Sequence, residues 1–262
     1  MQLSRVKKSD AEIKIMQDAC TISTDAFINA MKISHPYINE HLIYAKFDFD
    51  CRIRGADYLA YIPVIAGGPR ATILHYIRNN QIVTNDSMVL MDAGCQYREY
   101  VSDITRTWPI SGRFKNAQKE LYQACLNVQK HCVEQSVPGV SLQQLYYVMM
   151  RKMGEELTNL GLIDRKEHEK AIRPTDLATD PIPMGYMQRL SNFCPHDVGH
   201  YLGLDVHGKI LRVYLFNVEV LVNGDENFLL NKKNEKIFFY FSSHYLLDGS
   251  FRNDYLIIPL DP

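Results

Sequence analysis

The 262-residue sequence has almost no net charge, no paired-cysteine motif and no long apolar run. Lys and Arg number 29 against 30 Asp and Glu, so no global positive field is available to hold a nucleic acid. The six cysteines are scattered without a Cys-x-x-Cys pair, which favours a reduced compartment over a disulfide framework. No run approaches the roughly 18 apolar residues of a membrane span, and the charged start lacks the apolar core of a signal peptide. We therefore expect a globular chain that binds neither nucleic acid nor membranes.

Start and stop signals predict four helices in the first 160 residues. A capping box at Ser9 opens a helix that ends before His35, and a second helix is expected over 39–54. Two more are expected over 115–136 and 141–160, the latter opened by another capping box. The Met and Leu stripe of the last helix is read as core.

Shorter apolar segments lie between these helices and predict strands. Residues 58–66 are expected to form one strand, and residues 87–92 and 99–107 are expected to form a hairpin. Residues 164–190 are charged and contain three prolines, which predicts a surface insertion. Helices, then strands, then helices, followed by more strand-like sequence, indicate the α+β class.

Two aspartates are placed where they could form a metal site. Asp92 and Asp103 lie on the two strands of the predicted hairpin, so a shared face would bring their carboxylates together. Close carboxylates repel each other, and a hard divalent cation removes that cost. The alternative is that both residues make only local hydrogen bonds at strand ends.

A histidine cluster is the second candidate. His196, His200 and His207 fall within twelve positions of an apolar, glycine-containing segment. Neutral imidazole is a good ligand for Mn, Co or Zn and a good acid or base near neutral pH, so three together favour a site. His75 is a lone histidine among apolar neighbours, and by itself it is read as a core residue.

Three long motifs resemble one known family. They are ValLeuMetAspAlaGlyCys at 89–95, TyrValSerAspIleThrArgThrTrpPro at 100–109 and HisAspValGlyHisTyrLeuGlyLeuAspValHis at 196–207. In this order they resemble the Xaa-Pro aminopeptidases (aminopeptidase P), in particular the mitochondrial type 3 branch. The resemblance implies the pita-bread fold, in which helices flank a curved antiparallel sheet in two pseudo-symmetric halves.

The same resemblance implies a site with two metal ions, usually Mn²⁺. Asp92 corresponds to a ligand of one metal, Asp103 to the carboxylate that bridges both, and His200 to the histidine ligand of the other. A metal-activated hydroxide would then hydrolyse the bond after the N-terminal residue of peptides with proline at position two.

The other histidines acquire catalytic roles only through the resemblance. His75 and His207 correspond to the pair that holds the scissile carbonyl and stabilises the tetrahedral intermediate. His196 corresponds to part of the pocket around the substrate proline.

The sequence departs from the family after His207. The family completes its site with two Glu ligands, in a Glu-Pro-Gly motif and an Arg-Ile-Glu-like motif, and this sequence contains neither. Glu219 is not assigned to either role. We therefore expect weak or single metal binding and little peptidase activity. The alternatives are a non-catalytic pita-bread module that binds peptides or proteins, and a truncated isoform.

The resemblance divides the chain into two parts. Residues 1–207 are expected to be a partial catalytic domain, and 208–262 a divergent tail rich in aromatic residues. The tail is typical of read-through into sequence not selected for this fold, or it is a divergent but functional segment. The N-terminal domain typical of the family is expected to be missing, which leaves a homodimer possible. The branch implies a mitochondrial location, with the cytoplasm as the alternative.

Overall fold

The computed structural model describes residues 8–137 and 139–207, so the predicted tail at 208–262 lies outside the described residues. The α-helices there are α1 (Asp10–Ile33), α2 (Glu40–Ile53), α3 (Asn116–Glu134), α4 (Leu142–Asn159), α5 (Arg165–Ala171) and α6 (Met184–Ser191). The strands are β1 (Tyr58–Leu59), β2 (Val64–Gly67), β3 (Met88–Ala93), β4 (Cys95–Tyr97), β5 (Tyr100–Val101) and β6 (Ile104–Pro109). The four predicted long helices are confirmed within one or two residues.

Local capping chemistry fixes where α1 and α4 begin. The Ser9 hydroxyl accepts from the amide of Glu12, whose carboxylate accepts from the Ser9 amide at 2.6 Å. Ser141 and Gln144 repeat this arrangement at α4. Each box satisfies amides that the first helical turn cannot pair by itself.

Helices α1 and α2 pack against one another and against the main sheet. Their apolar faces meet at Phe27 and Phe47, whose rings contact edge to face with centroids 5.2 Å apart. The same core takes in Val89 and Met91 of β3, which are fully buried. This first core covers one face of the main sheet, and Val64, Ala66 and Leu90 on the other face are buried as well.

The main sheet is antiparallel, with the strand order β2-β3-β6. The predicted pairing of the two hairpin segments is confirmed, with Asp92 opposite Thr105 and Ala93 opposite Ile104. Asp103, however, lies just before β6, not within a strand. The intervening residues form β4 and β5, and β4 pairs with β1 on one side and β5 on the other in a second small sheet.

The prediction of one strand over 58–66 is wrong. Tyr58–Leu59 pair with β4, whereas Val64–Gly67 pair with β3, so the two halves belong to different sheets. The chain turns between them around Pro63, whose ring cannot donate to a sheet ladder. This turn carries Tyr61 to the end of the main sheet.

Helices α3 and α4 form a second core together with α6. The prediction that 164–190 is a surface insertion holds for 164–181, where no residue is buried, but is wrong for 182–190. Ile182, Tyr186 and Leu190 are buried against Met149 and Met153. Tyr186 and Leu190 are four residues apart on one face of α6, and Ile182 precedes the helix. None of the helices in the described part of the chain is long and apolar enough to cross a membrane.

Candidate active site

A glycine allows the two aspartates to approach. Gly94 follows β3 directly, and a Cβ built on it would lie 1.8 Å from the carbonyl oxygen of Ser102. Real side chains cannot tolerate that separation, so only glycine lets these backbones come this close. Asp92 and Asp103 flank this contact in sequence, and Asp103 is buried.

A buried hydroxyl network holds the backbone beside Asp103. Ser102 donates its amide to the carbonyl of Cys95 at 2.9 Å, and its hydroxyl accepts from the Cys95 amide at 2.9 Å. Its hydroxyl also lies 2.7 Å from that of Ser23 on α1. The residue before Asp103 is therefore tied to a helix of the first core.

Tyr61 joins the two aspartates. Its hydroxyl hydrogen-bonds to Asp92 and lies 2.6 Å from Oδ1 of Asp103. Burial, with the negative charges of Asp103 and Asp92, raises the pKa of Tyr61 well above its usual value, so the phenol stays a neutral donor. One hydroxyl carries one proton, so it can donate to only one carboxylate at a time. Two carboxylates this close to one another also favour a further proton or a cation between them.

The sequence does not indicate Tyr61 as a site residue, because the segment around it is expected to be one uninterrupted strand. The sequence nevertheless contains a weak indication of its position. Val64 pairs with Asp92, and a tyrosine three residues earlier, just before a proline turn, falls beyond the strand end on the Asp92 side.

His200 approaches the opposite side of Asp103. Its Nε2 lies 3.3 Å from Asp103 Oδ2, and its ring packs edge to face on His207 with centroids 4.3 Å apart. The segment is anchored by Gly203, whose carbonyl accepts from the amide of Val101 at 2.9 Å. Leu202 is buried against Val101 and Met16.

The structure brings His207 and His75 into the same neighbourhood. Burial lowers the pKa of His207, and proximity to His200 and His75 lowers it further, while Asp103 acts in the other direction. His207 is therefore mostly a neutral imidazole at neutral pH. His75 is exposed, contrary to its reading as a core residue, and lines an open cleft with Tyr76 and Arg78.

His196 lies at the start of the histidine segment. Its Nε2 is 3.6 Å from Sγ of the buried Cys194, and its Nδ1 is 2.7 Å from the carbonyl oxygen of Asp197. These two contacts are local to the segment. A place beside a substrate proline stays a prediction for this residue.

The donor atoms around Asp103 fit a divalent cation in part. Asp92, Asp103 and His200 supply the oxygen and imidazole nitrogen donors that suit Mn²⁺ or Zn²⁺. Asp103 faces Tyr61 with one oxygen and His200 with the other, as a bridging carboxylate would. Within residues 8–137 and 139–207, however, no three His, Cys, Asp or Glu side chains converge closely enough to hold one ion.

Comparison with known proteins decides the family. The sequence profile described as Metallopeptidase family M24 matches residues 14–228. The chain belongs to metallopeptidase family M24. Among curated members, Xaa-Pro aminopeptidase 3 of Rattus norvegicus is 47% identical over 79% of this chain and 38% of its own length. Intermediate cleaving peptidase 55, mitochondrial, of Arabidopsis thaliana is 34% identical over 78% of this chain and 37% of its own length.

Solved M24 structures share the fold. Aminopeptidase PepP of Pseudomonas aeruginosa superposes with a TM-score of 0.71 at 31% identity, covering 80% of this chain and 45% of that one. A zinc-substituted aminopeptidase P of Escherichia coli with product reaches 0.69 at 28% identity, covering 79% and 44%. The predicted α+β pita-bread fold is thereby confirmed. The chain spans less than half the length of these relatives.

Proposed function

We propose that this M24 chain derives from a metal-dependent Xaa-Pro aminopeptidase, which hydrolyses the N-terminal residue from peptides with proline second. The observation that carries the proposal is the position of Asp103. This carboxylate is buried: one oxygen faces the Tyr61 hydroxyl, which also hydrogen-bonds to Asp92, and the other oxygen faces His200. A homodimer and a mitochondrial location belong to the same proposal, and the cytoplasm is the alternative location.

The residues take their proposed roles from this arrangement. Asp92, Asp103 and His200 would hold the metal, with Mn²⁺ as the expected ion. When bound, the metal would supply Lewis-acid activation of water and of the scissile carbonyl. Tyr61 holds the Asp92 and Asp103 carboxylates together when no metal is bound. His207, neutral at neutral pH, can hydrogen-bond a carbonyl oxygen.

The remaining histidines would contact the peptide. His75 and His207 are proposed to hold the scissile carbonyl, and His196 to line the pocket for the proline ring. The three proposed metal donors are too few for two ions, because Mn²⁺ sites are commonly octahedral. We therefore propose that the 262-residue chain binds metal weakly, or binds a single ion, and that its peptidase activity is low.

The shortage of donors also favours a second function. A non-catalytic M24 module would keep the cleft and the histidines and would bind proline-containing peptides or a protein without cleaving them. Among the described residues, no third His, Cys, Asp or Glu side chain completes a metal-binding group with Asp103 and His200. We therefore retain this alternative.

Metal counting together with a peptide assay separates the two proposals. The full chain is loaded with Mn²⁺, and bound metal is measured by elemental analysis beside cleavage of an Xaa-Pro peptide and a matched Xaa-Ala peptide. Slow, Mn²⁺-dependent cleavage of the Xaa-Pro peptide alone supports the peptidase. Binding of that peptide without cleavage supports the module.

Asp103→Asn removes the proposed bridging charge, and the exposed Asp86→Asn is the control. Loss of bound metal in the first variant only is the expected result. Two ions per chain with rapid cleavage would contradict the proposed impairment, and equal metal content in both variants would contradict the site.

A further inference from the structure

The buried carboxylate of Glu40 lies outside the residues assigned to the reaction. Glu40 is the first residue of α2 and is fully buried, although glutamate is rarely so unless it is paired. The position itself favours a negative charge, because the amide dipoles of a helix point their positive ends at its start. A charge so completely withdrawn from water has to be matched by donors.

Both carboxylate oxygens of Glu40 are fully used. Oε1 accepts from the Gly67 amide at 3.0 Å and from Arg70 Nε at 2.8 Å. Oε2 accepts from the Tyr76 hydroxyl at 2.9 Å and from the Gln81 amide at 3.0 Å. All four donors lie in the segment 67–81. This segment begins at the end of β2 and passes beside the start of α2, where Glu40 lies.

His75 lies inside this bracketed segment and has an unusual backbone. Its φ is +55°, in the left-handed region that side-chain-bearing residues seldom adopt. Such a conformation persists only where the surroundings enforce it. The next residue, Tyr76, donates directly to Glu40, and burial with that contact raises the pKa of Tyr76, so its phenol remains a donor.

Hydrogen bonds of Asn79 anchor the segment on the C-terminal side of His75. Asn79 is buried, with its Oδ1 accepting from the Ile65 amide at 2.8 Å and its Nδ2 donating to the Pro63 carbonyl at 2.7 Å. His75 is thus exposed at the tip of a segment whose flanks are tied to α2 and β2. Anchoring both flanks in this way fixes the backbone of His75 and therefore the direction of its Cα–Cβ bond.

We propose that Glu40 is a positioning residue that fixes the backbone of His75 toward the site around Asp103. The inference rests on the proposed role of His75 at the scissile carbonyl, and it deepens that role. Glu40 acts through Gly67, Tyr76 and Gln81, and it touches neither substrate nor metal.

Glu40→Gln is the sharp test, since it keeps the side-chain shape and removes one acceptor. Whichever way the amide turns, its NH₂ faces two donors, so two of the four hydrogen bonds are lost. The matched control is Asp50→Asn, which removes another buried carboxylate from α2 whose ion pairs are with Lys46 and Arg54 instead.

The readout is structural and is made on the full chain. The His75 ring signal, assigned in histidine-labelled protein by its loss in His75→Asn, is expected to shift and broaden in Glu40→Gln. Amide exchange over 73–78 is expected to be at least about tenfold faster in the same variant. Asp50→Asn should leave both unchanged. An unaltered His75 signal and unaltered exchange in a folded Glu40→Gln chain, or equal effects in Asp50→Asn, would overturn the proposal.

Tyr76→Phe covers the case in which Glu40→Gln does not fold. It removes one of the four hydrogen bonds and should move the His75 signal in the same direction by less, whereas Tyr58→Phe at an exposed site should not. No movement in Tyr76→Phe would then count against the proposal.

The catalytic consequence is measured on any Xaa-Pro peptide that the unaltered chain cleaves. Glu40→Gln should lower kcat by about tenfold with KM nearly unchanged, because an interaction at the scissile carbonyl is realised mainly in the transition state. An unaltered chain that cleaves no such peptide contradicts the proposed function, while the His75 signal and the exchange rates still decide whether Glu40 positions His75.

Discussion

At the scale of single residues, the site is built from groups whose roles depend on partners far away in sequence. Asp92, Asp103 and His200 could be nominated from the sequence because each lies in a long motif. Tyr61 could not, because its contact with Asp92 and Asp103 exists only after β2 has paired with β3 in one register. A shift of that pairing by one residue would turn the strand's side chains to the other face.

Removing the Tyr61 hydroxyl should destabilise the metal-free chain. In Tyr61→Phe the two carboxylates lose their shared donor, and a hydrogen bond to a charged group contributes about 1.5–3 kcal/mol. Urea unfolding in the presence of a chelator should therefore show a free energy of unfolding lower by about 2 kcal/mol. Tyr58→Phe, at an exposed phenol, is the control and should be neutral. Equal stability of the two variants would mean that the Tyr61 contact contributes nothing.

At the scale of elements, the sequence predicts features that depend on neighbouring residues. It does not predict features that depend on residues far away in the chain. Capping boxes at Ser9 and Ser141 involve neighbours three residues apart, so the sequence predicts those helix starts directly. The split of 58–66 between two sheets and the burial of α6 depend on what each segment meets after folding. The four-residue spacing of Ile182, Tyr186 and Leu190 is consistent with burial of this segment. The charges and prolines around it instead favour a surface segment.

Gly94 is where an element boundary sets the geometry of the site. Gly94→Ala places a methyl group against the Ser102 carbonyl, so β4 and the start of β6 must separate. We expect a loss of about 3 kcal/mol in the free energy of unfolding, as for severe overpacking. The control is Gly185→Ala, because a Cβ there meets nothing within 4 Å and alanine favours a helix. Thermal unfolding of both variants checks this, and equal behaviour would refute the close approach.

The start of α1 should confer acid sensitivity. Glu12 accepts from the Tyr100 hydroxyl at 2.5 Å and from Ser9, which lowers its pKa from 4.5 to about 2. A carboxyl whose pKa is depressed by folding stabilises the chain above its unfolded pKa. That contribution is lost as the pH falls from about 4.5 to about 2. Unfolding measured over this range should show a steeper decline for the unaltered chain than for Glu12→Gln. Parallel curves would contradict the depressed pKa.

At the scale of the whole molecule, the site connects the two cores. Asp92 lies in the sheet that packs on α1 and α2, and Asp103 directly precedes β6 of that sheet. His200 follows a segment whose Cys194 and Val198 are buried with α3 and α4. A cation held by residues from both sides would add a link to the contacts that already join these regions, such as the hydrogen bond from the Val101 amide to the Gly203 carbonyl. The sequence motifs indicate the proposed ligands. That these ligands come from regions packed in two different cores is visible only in the fold.

Metal binding should therefore stabilise the chain as a unit. A ligand that binds only the folded state adds RT ln(1 + [L]/Kd), so even a weak site raises the melting temperature once Mn²⁺ exceeds its dissociation constant. We expect Mn²⁺ to raise the melting temperature of the unaltered chain relative to chelator-treated protein, and His200→Ala to abolish this increase. Magnesium at the same ionic strength controls for screening, since it binds imidazole poorly.

His35→Ala is the matched control for this experiment, because His35 is exposed and its Nδ1 lies 2.9 Å from the carbonyl oxygen of the adjacent Pro36. It should retain the full Mn²⁺-dependent increase. If His200→Ala also retains it, the cation binds elsewhere and the link between the cores is absent. If the increase is lost only in His200→Ala, while both variants melt alike in chelator, His200 stabilises the chain through the metal and not through its contact with His207.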